Sequence, residues 1–249
     1  MPQQYLLWVN SRPLPDSGID DDLWEKWYIE EHVRILTIRS QRCRAHRCQV
    51  PDLVNSKATV RAAMYRENFD FSLEPKERRP RKYLVIYQSD FEEPLSSKEY
   101  LNDVRHSSVM WPDNKATSEV GDFNARNYKL IQDYDPDGKG ESAPPFCLTV
   151  EMDPVDEADF DKWYREEHLD MLHKLPGYRR SSRYVIGPKL PITEGEPPKY
   201  LAIHEMDDLR GFIGKEADAA NDTPWTVKHI KDSKVFIPRG WELIYSQGY

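Results

Sequence analysis

Residues Trp27–His32 read WYIEEH and residues Trp163–His168 read WYREEH, so five of six letters recur at a constant offset of 136. Helix propensity alone has no reason to place tryptophan, tyrosine and histidine together twice. The recurrence points to a chain built from two related halves, and the flanking sequence supports that reading. A short apolar strand is expected before each hexapeptide, at Tyr5–Val9 (YLLWV) and at Phe146–Val150 (FCLTV), each followed by an acidic turn bearing proline. Each hexapeptide then sits on a helix. The second spans about Glu157–Leu175, capped by Asp156 and stopped by Pro176-Gly177, and the first runs from about Asp22 to Arg39 behind Asp20–Asp22.

The offset continues past the helices. Extended segments are expected at Arg44–Val50 and Arg179–Ile186, where Arg44 aligns with Arg180 and Arg47 with Arg183. A third strand follows in both copies, YLVIY at Tyr83–Tyr87 and YLAIH at Tyr200–His204. Here the offset drops to 117, so the first copy carries 19 additional residues, which fall in a polar excursion at residues 51–81. Second helices are expected at Ser96–His106 and about Asp208–Ala220, and short edge strands at Tyr128–Ile131 and Trp241–Ile244. The order is βαββαβ, twice. It predicts an α+β fold of two ferredoxin-like halves, residues 1–135 and 144–249, joined by a linker at 136–143, with one sheet covering the other.

Composition bounds the function. With 249 residues, 39% of them apolar and 12% aromatic, the chain can bury a sizeable core. A net charge of −8, from 43 acidic and 35 basic residues, argues against a general nucleic-acid binder, and the basic run KERRPRK at Lys76–Lys82 reads as a solvated loop. No long apolar stretch or leader-like start is present, so a cytoplasmic protein without a membrane partner is expected. Cys43, Cys48 and Cys147 form no metal-ligand spacing and are expected to be reduced thiols. HExxH, GxSxG and glycine-rich phosphate loops are absent, and His168 and His173 have the wrong separation for a helical metal pair. Neither a metal nor a cofactor is expected.

The repeated tryptophan-rich helix ending in EEH, with PGYRRSSRY at Pro176–Tyr184, resembles the EthD-like branch of the dimeric α/β-barrel superfamily, in its fungal tandem-repeat form. The match is closest in the second copy, where Trp163, Tyr164, His168, Pro176, Gly177 and Tyr184 keep the expected order. The first copy lacks the Pro-Gly stop and carries the excursion. The resemblance implies that the two halves form an intrachain dimeric α/β-barrel and that the chain is a small-molecule enzyme. Members of the superfamily include cofactor-independent monooxygenases, cyclases, decarboxylases, dehydratases and isomerases, and some wider relatives bind haem.

The residues themselves suggest where such chemistry would sit. At intervals of four, Phe160, Tyr164, His168 and Leu172 share one helix face, and Trp163, Glu167 and Met171 make the neighbouring row. Strand alternation puts Tyr200, Ala202 and His204 on one face. If that face looks toward the helix, the small Ala202 leaves room bounded by Tyr200, His204 and His168. Imidazoles can move a proton near neutral pH, and a tyrosine hydroxyl can hold a developing oxyanion. His168, His204 and Tyr164 are therefore the candidate catalytic residues. Trp163, Glu167, Arg183, Tyr184 and Tyr200 are candidate substrate contacts, together with Tyr28, His32 and Tyr87 of the first copy. A core histidine that merely pins its helix, and arginines engaged in surface ion pairs, are the plainer alternatives. The expected function is a cofactor-independent lyase or cyclase acting on a small aromatic or polyketide-like metabolite. The alternatives are a monooxygenase of the same fold and a non-catalytic binding protein, as a monomer with an internal pseudo-dimer or as a homodimer.

Overall fold

A computed structural model describes residues 2–33, 59–72, 80–103, 106–140 and 142–249. Eight strands carry the architecture: β1 (Tyr5–Pro13), β2 (Arg61–Asn68), β3 (Tyr83–Ser89), β4 (Gly121–Tyr134), β5 (Phe146–Asp153), β6 (Tyr178–Ile186), β7 (Tyr200–Met206) and β8 (Val235–Gln247). All pair antiparallel in the order β1-β3-β2-β8-β5-β7-β6-β4, and the ring closes through β4 and β1. The fold is thus α+β, an eight-stranded antiparallel barrel with helices outside. The helices are α1 (Asp21–Trp27), α2 (Lys98–Asp103), α3 (Thr117–Val120), α4 (Glu157–Trp163), α5 (Leu169–His173), α6 (Lys215–Asn221) and α7 (Pro224–Asp232).

The closed ring agrees with the intrachain barrel that the resemblance implies, and it takes the place of two separate sheets stacked face to face. Its cause lies in β4 and β8, read from sequence as short edge strands and in fact 14 and 13 residues long. Each divides its length between two partners. Gly121–Lys129 of β4 pairs with β1 and Tyr128–Tyr134 with β6; Val235–Glu242 of β8 pairs with β5 and Gly240–Gln247 with β2. Every strand therefore has two neighbours, which removes the open edges a pair of separate sheets would leave.

Side-chain alternation sorts the core into layers. The barrel interior collects Leu6, Trp8, Tyr65 and Ile86 with Cys147, Tyr184, Ile203 and Trp241. Outside it, Trp24, Trp27, Tyr28 and Trp111 pack on Leu7, Met64 and Val85, and Trp163, Tyr164 and Leu172 pack on Val150, Met152 and Ala202. Cys147 is buried and free. Strand β2 falls inside the stretch 51–81 that reads as an excursion. Its residues feed both layers, Ala62 and Met64 the outer one and Ala63 and Tyr65 the inner, so the segment lacks the polar alternation that would mark it as a strand. The strand expected at Arg44–Val50, with His46, Cys43 and Cys48, lies outside the described residues.

Helix starts follow the sequence. Asp20 accepts a hydrogen bond from the Leu23 amide at 2.8 Å, and Asp156 from the Asp159 amide at 3.0 Å. Gly177, with φ of +78°, lets the chain leave α5 through a left-handed residue. Helix α7 lies beyond the region read as helical, although Thr223-Pro224 is an N-cap followed by proline at the first turn, and Thr223 does cap it.

Candidate active site

Both copies of the hexapeptide widen the helix. Residues Tyr28–Val33 and Tyr164–His168 form π-turns, in which each turn closes over one more residue than in an α-helix. The rows predicted at intervals of four therefore change. His168 lies flat on Trp163, five residues earlier, with ring centroids 4.2 Å apart and 27° between the planes, while Tyr164 meets its edge at 5.3 Å. In the first copy His32 stacks on Trp27 at 4.7 Å and 22°. Trp163 is held in turn by a hydrogen bond from its Nε1 to Thr226 Oγ1, 3.1 Å, and by His229 stacked on its other face at 4.9 Å.

This helix borders a cavity of about 330 Å³ between itself and the outer face of β5 and β7. Leu148, Val150 and Met152 form the floor, Trp163, Tyr164, His168 and Leu172 one wall, and Phe212, Ile213 and Ile230 another. His204 enters from β7. Asp70, Phe71 and Ser72, from the short turn after β2, reach over from the first half of the chain. Their contribution was not legible in sequence, because it depends on β2 pairing with β8. Phe71 sits so closely on β8 that a side chain at Gly240 would bring its Cβ within 2.6 Å of the Phe71 Cβ.

Burial sets the charge state of the two histidines in the cavity. Burial pushes the His204 imidazole down to about 3, and Arg183 nearby adds to the effect. Burial also takes His168 well below its ordinary range, assisted by His204, Arg183 and His229. Both rings are thus neutral at pH 7, with centroids 6.4 Å apart and planes inclined by 81°. Burial raises the Tyr164 phenol to about 12. Its hydroxyl makes no hydrogen bond among the described residues. The counterpart in the first half, Tyr28, is tied to Ser11 Oγ at 2.9 Å. Register explains the difference: Ser11 pairs with Tyr83 and Met152 with Tyr200, so an apolar Met152 stands where the first half has a hydroxyl.

Several candidate contacts lie elsewhere. Ala202 does not open the cavity, because its cross-strand partner Arg183 covers that face, its guanidinium 4.0 Å from the centre of the Tyr164 ring and bonded to Asp161 and Gln132. Tyr200 bonds Glu157 and packs on Phe160, and Glu167 accepts from Thr223, so neither lines the cavity. Tyr184, next to Arg183 on an alternating strand, points into the barrel. The arginines are not surface pairs: Arg180 and Arg183 are 1% and 2% exposed, and Arg180 bonds the buried Glu205 inside the barrel. Tyr28, His32 and Tyr87 cluster in the first half, with His32 and Tyr87 centroids 6.5 Å apart. Among the described residues, no group of three or more His, Cys, Asp or Glu is arranged to hold a metal. Among the described residues, the cavity lining contains no lysine or arginine.

No family model matches the chain. It is 25% identical over 220 residues to the Core atranone cluster (CAC) protein 1 of Stachybotrys chlorohalonatus, covering 82% of each chain. Its structure is similar to that of a candidate monooxygenase from Fusobacterium nucleatum, with a TM-score of 0.52 and 11% identity over 99% of this chain and 95% of that one. It is also similar to an anthrone oxidase-like protein, with a TM-score of 0.52 and 11% identity over 98% and 93%. At these identities the likeness is one of fold alone, an eight-stranded antiparallel barrel with helices outside it.

Proposed function

We propose that the chain is a cofactor-independent enzyme that removes a proton from a small aromatic or polyketide-like metabolite, and that the resulting carbanion reacts directly with oxygen. The observation that carries this reading is the pair of neutral imidazoles, His168 and His204, facing one apolar cavity beside the free hydroxyl of Tyr164. A neutral imidazole can accept a proton, and an apolar enclosure excludes the water that would quench a carbanion. His168 is the acid/base. Trp163 cushions the imidazolium it becomes, through the face of its indole. Tyr164 donates to the substrate oxygen on which negative charge collects. The carbanion gives its electrons to oxygen, and the peroxide formed takes back the proton and loses water. A CH₂ group and O₂ thereby become a carbonyl and water, with no further reductant. The names of the structural relatives, a candidate monooxygenase and an anthrone oxidase-like protein, support oxygen as the second substrate, and the atranone-cluster relative supports a secondary metabolite.

A lyase or cyclase would use the same imidazoles without oxygen, and it remains the second reading because the cavity alone serves either. The tandem βαββαβ organisation, with halves at 1–135 and 144–249, and the EthD-like assignment belong to this proposal too. The test is turnover of anthrone by the purified protein, with oxygen uptake and product absorbance followed together. One O₂ consumed per anthrone, no product under nitrogen, and a rate about 10²- to 10⁴-fold lower for His168→Phe are expected. Anaerobic conversion of a polyketide-like substrate would select the lyase reading, and unchanged turnover in His168→Phe would remove the histidine from either.

A further inference from the structure

Two imidazoles face the cavity, and among the described residues a side-chain hydrogen bond holds His204 while none is made by His168. Ser181 Oγ lies 2.8 Å from His204 Nδ1, and Tyr178 donates its hydroxyl proton to the same Ser181 Oγ at 2.9 Å. The contact from Tyr178 to the Tyr134 carbonyl is longer, 3.4 Å. Ser181 and His204 are cross-strand partners on β6 and β7, so the ladder itself sets their approach, and all three side chains are 2% exposed or less. A serine hydroxyl has a single proton to give. With one lone pair of Ser181 filled by Tyr178, that proton has His204 Nδ1 as its side-chain acceptor among the described residues. A neutral imidazole that accepts at Nδ1 carries its own proton on Nε2. Nε2 of His204 has no protein partner among the described residues and belongs to a ring that lines the cavity. His168 differs. Its Nδ1 is buried without a hydrogen bond, and nothing among the described residues fixes its tautomer.

Resting on the proton-transfer reading above, we infer that Ser181 and Tyr178 are positioning residues that hold His204 as its Nε2–H tautomer, so that His204 donates a hydrogen bond to a substrate carbonyl while His168 takes the proton. The two rings line the same cavity with centroids 6.4 Å apart, close enough for a substrate lying across both to place its carbonyl at one and the adjacent C–H at the other. A donor on the oxygen acidifies that C–H, and an unconstrained imidazole collects the proton. The two histidines then have different tasks.

Ring-nitrogen shifts from long-range ¹H–¹⁵N spectra of uniformly labelled protein test this without any turnover, with His204 identified by the signals lost in His204→Phe. In the unsubstituted protein, Nδ1 of His204 is expected to resonate as a bare nitrogen and Nε2 as a protonated one. Ser181→Ala and Tyr178→Phe are each expected to give a mixture of tautomers. A protonated Nδ1 in the unsubstituted protein overturns the inference, as does an unchanged tautomer in both variants, which a purely structural role for the pair would produce. Binding gives the second readout. 1-Tetralone, which accepts hydrogen bonds but donates none, should bind about three- to tenfold more tightly than tetralin, the same shape without the oxygen, and His204→Phe should abolish the difference. Equal binding of the two by the unsubstituted protein would also refute the donor role. Neither measurement depends on oxygen or catalysis, so the oxygen assay can fail while these succeed, and the reverse.

Discussion

The imidazole of His168 covers one face of the Trp163 indole at 4.2 Å, and the imidazole of His229 covers the other at 4.9 Å. The indole is thereby a spacer between a ring that lines the cavity and one that reaches Asp159, whose Oδ2 lies 3.2 Å from His229 Nε2. Trp163→Ala should cost roughly 3–5 kcal/mol of stability, the usual range for removing a large buried aromatic residue. Trp163→Phe keeps a ring in the stack but removes the indole N–H that donates to Thr226 Oγ1, so a loss of about 1 kcal/mol is expected. Urea unfolding of both variants checks the order.

Met152→Ser should give Tyr164 the tether that Ser11 gives Tyr28. The hydroxyl would then be engaged by the protein, and a rate at least tenfold lower is expected if Tyr164 serves the oxyanion. The converse change, Ser11→Ala, strands the buried Tyr28 hydroxyl and should lower stability by about 1–3 kcal/mol. An unchanged rate in Met152→Ser with the fold intact would remove Tyr164 from the chemistry.

How much of this was open to a reader of the sequence depends on the range of the interaction involved. Caps such as Asp20 and Asp156, the Gly177 exit and the face carried by Tyr200, Ala202 and His204 are local, and periodicity finds them. The π-turn was not legible, because the rule that places Tyr164 and His168 on one row assumes an α-helix throughout. It also hid the Trp163–His168 stack. Strand β2 was concealed by burial on both faces. The lengths of β4 and β8 were underestimated because their second partners lie in the other half of the chain. For Arg183 the sequence left a buried contact and a surface ion pair both open: charge suggests a surface, and only the stacked ring of Tyr164 and the carboxylate of Asp161 make its burial tolerable.

Stability should fall on mild acidification, and His204 fixes the sign. Its folded-state value, about 3, lies below the ordinary histidine value, so the unfolded chain binds the proton first. The contribution of the neutral buried ring is complete above pH 6.5 and is lost progressively as the pH falls from there toward 3. Between pH 7 and pH 5 the loss from this one ring is about 2 kcal/mol. His204→Phe should remove that part of the pH dependence, which urea titrations of both proteins at the two pH values would reveal.

Glu205 is 6% exposed, its carboxyl raised by burial despite the attraction of Arg180. Glu205→Ala leaves the Arg180 guanidinium buried without that partner and should destabilise the barrel by about 3–5 kcal/mol. Replacing both, as Arg180→Met with Glu205→Leu, should recover most of the loss, because the desolvation cost of the ions disappears with them. Thermal unfolding of the single and double variants measures the difference.

The two-partner habit of β4 and β8 also bears on how the polypeptide could be divided. Each seam between halves is a run of main-chain hydrogen bonds, one on either side of the ring, and neither depends on the peptide connection at residues 136–139, which forms an exposed turn. Two separately translated fragments, ending and beginning in that turn, should therefore find each other and close the same ring. The protein would then behave as an obligate heterodimer, recoverable through a tag on either piece. In such a split form the first fragment would still supply Asp70, Phe71 and Ser72 to a pocket whose imidazoles belong to the second, so ligand binding would report assembly directly.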